Sequence, residues 1–346
     1  MATQSSSVLP LCIIPLPLFC VSGFDLIVRA DYYPRMFLKP PFCRMLVGIA
    51  AILLTTDVCF AETFRVATYN VENYLDQPGG TRTPKSDAAK AKIRESIRAM
   101  KPDVIAFQEM GGMSALQELR ASLKSAGLDY PHWEHVTGFD TNIFVALLSK
   151  FPIIARRPHT NDSYLLSGKR FHVSRGFVDV DIKVNESYTF TLLSAHLKSK
   201  RAIPDADEEE MRFEEARILR EKIDARLTAN PNANLVVLGD MNDTYNTKSV
   251  KAVIGRGKTA LIDTRPTERN GDNQPHPNNP RFNPRNVAWT HHYGVEDTYS
   301  RIDYILLSPG MAREWVTNET YVLTLPNWGI GSDHRPLVAA FEAENK

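Results

Sequence analysis

Residues 239–243, Gly-Asp-Met-Asn-Asp, follow the apolar run Leu235–Leu238 and set Asp240, Asn242 and Asp243 side by side. A short continuous apolar run, bounded here by Asn234 and Gly239, suits a strand buried on both faces. In open α/β folds chemistry gathers just past the carboxyl ends of strands. A carboxylate and an amide at such a place can aim at one reacting centre, although Asp and Asn also make ordinary turns there. The same arrangement recurs along the chain. Asn70 and Glu72 end the run that begins at Phe64, and Glu109 ends Asp103–Phe107. His196, with Lys198, ends Tyr188–Ser194. Asp303 lies in Ser300–Leu307, and Asp333 and His334 precede Leu337–Phe341. Carboxylates with neutral oxygen donors suit a hard ion of the Mg²⁺ type. Lys198, Lys200 and Arg201, and separately Arg175 beside Lys169 and Arg170, offer cations for a substrate phosphate or else belong to solvated basic loops.

The elements that must position these residues are legible from periodicity. Phe64, Val66 and Thr68 alternate as a strand, and Ser86 or Asp87 caps a helix carrying Ile93, Ile97 and Met100. Lys101-Pro102 stops that helix. A second helix over about 114–126 carries Leu116, Leu119 and Leu123, with Gly127 at its C-cap. Asn142–Leu148 reads as a strand. Val178–Val184 reads as a half-exposed strand paired through Asn185-Glu186-Ser187 with Tyr188–Ser194. Asp205–Leu227 reads as a charged helix with one buried stripe, Phe213, Ala216, Leu219 and Ile223. The Pro- and Asn-rich stretch Thr264–Arg285 reads as a long surface loop, which could bring Arg281 and Arg285 to a groove. The hairpin in the middle argues against a purely parallel sheet and for a mixed-sheet, layered α/β domain. No P-loop and no glycine-rich dinucleotide fingerprint occurs.

The ordered stretches TYNVEN, FQEM, SAHLKS, GDMND, RIDYIL and GSDHRP resemble the endonuclease/exonuclease/phosphatase superfamily, the deoxyribonuclease I-like fold, over roughly Phe64–Phe341. The resemblance implies a four-layer αββα sandwich with the site at one end of the two sheets. It implies that Glu109 is the principal ligand of a divalent ion, Mg²⁺ or else Mn²⁺ or Ca²⁺, assisted by Asn70 and completed by Asp333. It pairs Asp303 with His334 as an acid–base unit, has His196 and Asn242 donate to non-bridging phosphoryl oxygens, and has Asp240 orient or deprotonate water. The substrate implied is a phosphodiester, either a small molecule or DNA or RNA. A phosphomonoesterase and a catalytically silent binding domain are the competing readings. No stable protein partner is implied.

Composition sets bounds on these readings. The chain has 346 residues, of which 43% are hydrophobic and 23% charged, an ordinary globular balance. Residues 1–61 differ from the rest. Met45–Leu54 is apolar, follows Lys39 and Arg44, and is closed by Ala61, as in a secretory signal peptide with its start at Met36 or Met45. The expectation is an exported protein whose domain spans 62–346; the alternative is an N-terminal membrane anchor. All four cysteines (Cys12, Cys20, Cys43 and Cys59) precede residue 62, so disulfides and thiolate metal sites are excluded from the body. Residues 1–61 hold four of the 41 basic and three of the 40 acidic residues, which leaves the body with 37 of each. A neutral body has no broad field for gathering nucleic acid and favours a small or locally exposed diester.

Overall fold

Alternation and continuous apolar runs in the body resolve into two mixed sheets in the computed structural model, which describes residues 62–269, 278 and 287–346. The leader read in residues 1–61, and Arg281 and Arg285, lie outside the described residues. The first sheet is built from β1 (Thr63–Tyr74), β2 (Val104–Met110), β3 (His132–Val136), β4 (Phe144–Ser149), β12 (Thr267–Glu268), β16 (Trp315–Val322) and β17 (Leu337–Glu342). Their order is β12-β16-β17-β1-β2-β4-β3. The second sheet takes β5 (Ile153–Arg156), β8 (Phe177–Lys183), β9 (Thr189–His196), β10 (Leu235–Asp240), β11 (Ile262–Asp263) and β15 (Asp303–Leu307). Its order is β11-β15-β10-β9-β8-β5. Two ribbons stand apart, β6 (Ser163–Leu166) with β7 (Lys169–His172), and β13 (His291–Tyr293) with β14 (Thr298–Ser300).

Three apolar clusters give the layers. Val66, Ala106 and Leu147 of the first sheet meet Val180, Leu192 and Leu238 of the second in one core. The outer face of the first sheet packs on Ile93 and Ile97 of α1 (Asp87–Met100) and on Leu116 and Leu119 of α2 (Met113–Ser125). The outer face of the second packs on Leu219 and Ile223 of α3 (Glu208–Ala229) and on Val250 and Val253 of α4 (Lys248–Ile254). The result is the αββα sandwich, with helices covering both sheets. No helix among the described residues is long and apolar enough to cross a membrane.

Local chemistry ends the elements where the sequence said it would. Ser86 Oγ accepts from Ala89 N at the start of α1, and Gly127 takes a φ of +84° just past α2. Gly239 is required: it has a φ of +128°, and a Cβ there would stand 2.0 Å from the Ala195 carbonyl oxygen.

Three expectations need correction. The strand β8 is not half exposed, because Asp179 is buried beneath Arg226 of α3. Helix α3 buries more than one apolar stripe: Arg212, Glu215 and Arg220 are buried with it, and Phe213 is only half-buried. The stretch read as a loop over Thr264–Arg285 does not open as one, and its residues 270–277 and 279–285 lie outside the described residues. Thr264 is buried with its hydroxyl on Ile305 O, and Thr267–Glu268 forms an edge strand beside β16.

Candidate active site

Strand register assembles the polar cluster. β10 runs parallel to β9 with Asp240 opposite His196, and antiparallel to β15 with Asp240 opposite Asp303. His196, Asp240 and Asp303 therefore stand abreast at the end of the second sheet. In the first sheet β1 and β2 are parallel with Asn70 opposite Gln108, which puts Glu109 one residue past that level. The sheets are pinned to each other behind the cluster. Thr68 Oγ1 donates to Gln108 Oε1 at 3.0 Å, and Gln108 Nε2 donates to Ser194 Oγ at 3.2 Å, all three residues being buried.

Asp240 is the hub. Its Oδ1 accepts from Asn242 N at 2.8 Å and its Oδ2 from Asn70 Nδ2 at 3.0 Å. His196 Nε2 lies 3.5 Å and His334 Nε2 3.8 Å from the same Oδ2. His334 Nδ1 lies 2.9 Å from Asp303 Oδ2, which also accepts from Thr290 Oγ1 at 2.6 Å. Ser332 holds the loop in place by donating to Asn70 O and accepting from His334 N. Glu109 Oε2 accepts from Asn73 N at 3.0 Å, and its Oε1 faces His196 Nε2 at 3.9 Å. Backbone strain concentrates here: Glu72, Asn73, Glu109 and Asn242 all have positive φ, between +42° and +60°.

The charges are set by burial and by neighbours. Burial first, and the Asp303 carboxylate second, raise the Asp240 pKa. Burial opposes the imidazolium of His334, but Asp303, Asp240 and Asp333 outweigh it and raise its pKa well above the usual histidine value. His196 goes the other way: burial, then the charges of Arg175, His334 and Arg82, push its pKa well down and keep the ring neutral. Burial, then the charges of Asp333 and Glu109, raise the Glu72 pKa against the pull of Lys85. Lys85 bonds Glu72 Oε2 at 3.4 Å and Gly331 O at 2.7 Å.

The structure thus brings together Asn70, Glu109, His196, Asp240, Asn242, Asp303 and His334. Asp333 joins them, but its oxygens face imidazoles: Oδ2 is 3.5 Å from His291 Nε2 and Oδ1 3.9 Å from His334 Nε2. The basic candidates have other partners. Lys198 Nζ donates to Ser199 O and Arg201 O, and Arg175 Nη1 donates to Leu197 O. Asn242 Nδ2 also donates to Leu197 O, at 2.9 Å. Lys200 lies 3.5 Å from Asp243. Lys85, Thr290 and His291 were missed in the sequence. The signal for the last two was Thr290-His291-His292, a pair of histidines following the short segment Val287-Ala288-Trp289, which shows no periodicity.

Residues 67–334 match the Endonuclease/Exonuclease/phosphatase family. Solved structures share the fold at low identity. The human nocturnin catalytic domain with a bound sulfate anion is 16% identical with a TM-score of 0.55, over 82% of this chain and 96% of that one. A truncated TDP2 from Caenorhabditis elegans is 14% identical with a TM-score of 0.53, over 81% and 98%. The beta toxin of Staphylococcus aureus is 18% identical with a TM-score of 0.55, over 80% and 99%. Among curated proteins none matches by sequence.

Proposed function

We propose, on the premise that the chain belongs to the endonuclease/exonuclease/phosphatase family, that it is an exported, divalent-cation-dependent phosphoesterase hydrolysing a phosphodiester by direct attack of water. Members of this family are in general hydrolytic phosphoesterases and nucleases. The observation that carries the reading is the buried line of His196, Asp240 and Asp303, with His334 Nε2 3.8 Å from Asp240 Oδ2.

The residues fit a hard cation. Glu72, Glu109 and Asp333 lie close enough to raise one carboxyl's pKa, with Lys85 as the counter-charge. Glu109 and Asn70 would hold the ion, and Glu72 and Asp333 would add negative charge around it. A bound Mg²⁺, Mn²⁺ or Ca²⁺ would neutralise charge on the phosphoryl oxygens.

The chain's own groups supply the rest. Asp240, fixed by Asn70 and Asn242, takes a proton from the attacking water. Asp303 holds the His334 ring by Nδ1 and leaves Nε2–H to donate to a phosphoryl or leaving-group oxygen. Neutral His196 donates through Nε2. Ser332 is no nucleophile, because its hydroxyl is spent on Asn70 O and His334 N. Lys198 and Arg175 are bound to backbone carbonyls, so among the described residues these two candidate cations are already engaged. That supports a small or locally exposed diester over long duplex DNA. The sulfate held by the nocturnin domain is a tetrahedral oxyanion of the same kind as a phosphoryl group.

The test is turnover of bis(p-nitrophenyl) phosphate with and without EDTA. Activity should vanish on chelation, and Glu109→Gln should lose most activity with partial rescue at high Mg²⁺ or Mn²⁺. Full activity in EDTA would end the metal reading. Plasmid cleavage that is efficient but collapses between about 50 and 200 mM salt would end the preference for small substrates.

A further inference from the structure

The ribbon β13–β14 carries to the site a residue that the proposed hydrolysis does not use. His291 makes an antiparallel bridge with His334, and the two rings lie 4.6 Å apart. Asp333 presents one oxygen to each ring, at 3.5 and 3.9 Å. One ligand atom from each of these three residues lies within 4.8 Å of the other two. Donors at about 2.0–2.1 Å from a tetrahedral ion stand roughly 3.4 Å apart, so small side-chain shifts would close the set.

Two further features fit metal binding. The Nδ1 of His334 is already held by Asp303, so Nε2 faces outward and, on giving up its proton to solvent as the ion binds, becomes the ligand atom; ligating histidines are oriented by a carboxylate in this way. The side chains of His291 and Asp333 are 16% and 42% exposed, so an ion can reach them from solvent.

We propose that His291, Asp333 and His334 form a second cation site, which takes a borderline divalent transition ion of the Zn²⁺ class, and that filling it stops hydrolysis by occupying His334. The donors decide the class. Two imidazoles and one carboxylate suit Zn²⁺, whereas Mg²⁺ seeks oxygen ligands and keeps its waters. The oxygen donors of Glu109 and Asn70 select the opposite way, so the two sites, which share the charge of Asp333, sort two kinds of ion. The inhibitory half of the proposal rests on the acid–base role given to His334; the binding half does not.

Equilibrium dialysis of the untagged, chelator-stripped full chain against ZnCl₂ tests binding. The wild type should bind Zn²⁺. His291→Ala and His291→Gln should each weaken binding by at least about tenfold, and Glu109→Gln should not weaken it. Circular dichroism of each variant should match the wild type, and the glutamine variant keeps a polar side chain in case alanine unsettles the ribbon. No Zn²⁺ bound by the wild type, or loss of binding in Glu109→Gln with both His291 variants unchanged, overturns the site. Zn²⁺ added to Mg²⁺-supported turnover should inhibit, and His291→Gln should raise the inhibitory concentration about tenfold, in step with its weaker binding. Binding without inhibition overturns the inhibitory half. Binding as expected with no turnover under any condition overturns the hydrolytic reading and leaves the Zn²⁺ site standing.

Discussion

Asp179 on β8 and Asp240 on β10 belong to one sheet, are 3% and 1% exposed, and meet opposite surroundings. Asp179 is surrounded by cations. Arg157 reaches it at 3.1 Å, Arg226 at 2.6 Å and His159 at 3.2 Å. Burial alone would raise its pKa, but His159, Arg226 and Arg157 overcome that and bring it down to about 2. Among the described residues Asp240 is paired with no arginine. Its fixed donors are one amide and one backbone N–H; burial first, and then a second carboxylate, Asp303, which faces it across the strand pair, raise its pKa against the pull of His334. A buried acid meant to stay charged is neutralised on all sides. A buried acid meant to exchange a proton is left partly unpaired, at a cost in stability.

The largest effect should come from breaking the unpaired side. Asp240→Asn keeps the shape and removes the charge; kcat should fall by about 10³-fold, within the range for an acid–base group. The melting temperature should stay level or rise, because a like charge next to Asp303 is gone. A fall in both activity and melting temperature would mean that Asp240 is as structural as Asp179. His334→Ala should lower kcat by about 10²-fold. Adding Asp303→Asn should then cost little more, since the two act as one unit through the 2.9 Å contact. Multiplying losses would separate them.

The cluster was more legible in the sequence than the charge network behind it. Asp240, Asp303, His334 and Glu109 each end or begin an apolar run, and strand register does the rest. Asp179 has the same signature as a solvent-facing residue, because alternation along β8 is blind to a helix laid over its outer face. Glu215 on α3 was missed for the same reason: within a run of charges nothing marks the one carboxylate that accepts from Ser174 N and Lys198 N. His291 and Lys85 reach the site across long sequence separations, from short segments without periodicity. The ribbons β6–β7 and β13–β14 and the edge strand β12 were unread because two to four residues carry no alternation to detect.

The next effect is on stability. Asp179→Asn leaves Arg157 and Arg226 facing each other with Asp181 as the remaining acid. Removing one partner of a buried charge network costs about 3 kcal/mol. Urea unfolding should show that loss, while kcat on a small diester stays unchanged. A loss of activity without a loss of stability would reverse the roles assigned to the two aspartates.

The smallest effect is the response to acid, and it has opposite signs at the two residues. The Asp179 pKa is about 2 in the folded protein against 3.8 in an unfolded chain. At 1.36 kcal/mol per unit, this difference contributes about 2 kcal/mol of stability. A depressed carboxyl pKa gives stability that is fully present above the unfolded value and lost as pH falls through the folded one, so the loss falls between about pH 4 and 2. The Asp240 pKa is raised, so its protonated form is favoured by folding, and its contribution is lost as pH rises through the folded value. Urea unfolding from pH 7 to 2 on three proteins separates the two. Asp179→Asn should flatten the fall between pH 4 and 2 by about 2 kcal/mol. Asp240→Asn should leave that fall in place and instead gain stability relative to the wild type toward neutral pH, where the buried charge is most costly. Parallel curves for wild type and Asp179→Asn below pH 4 would show that the arginines beside Asp179 do not hold its charge, and the contrast between the two aspartates would then be one of position alone.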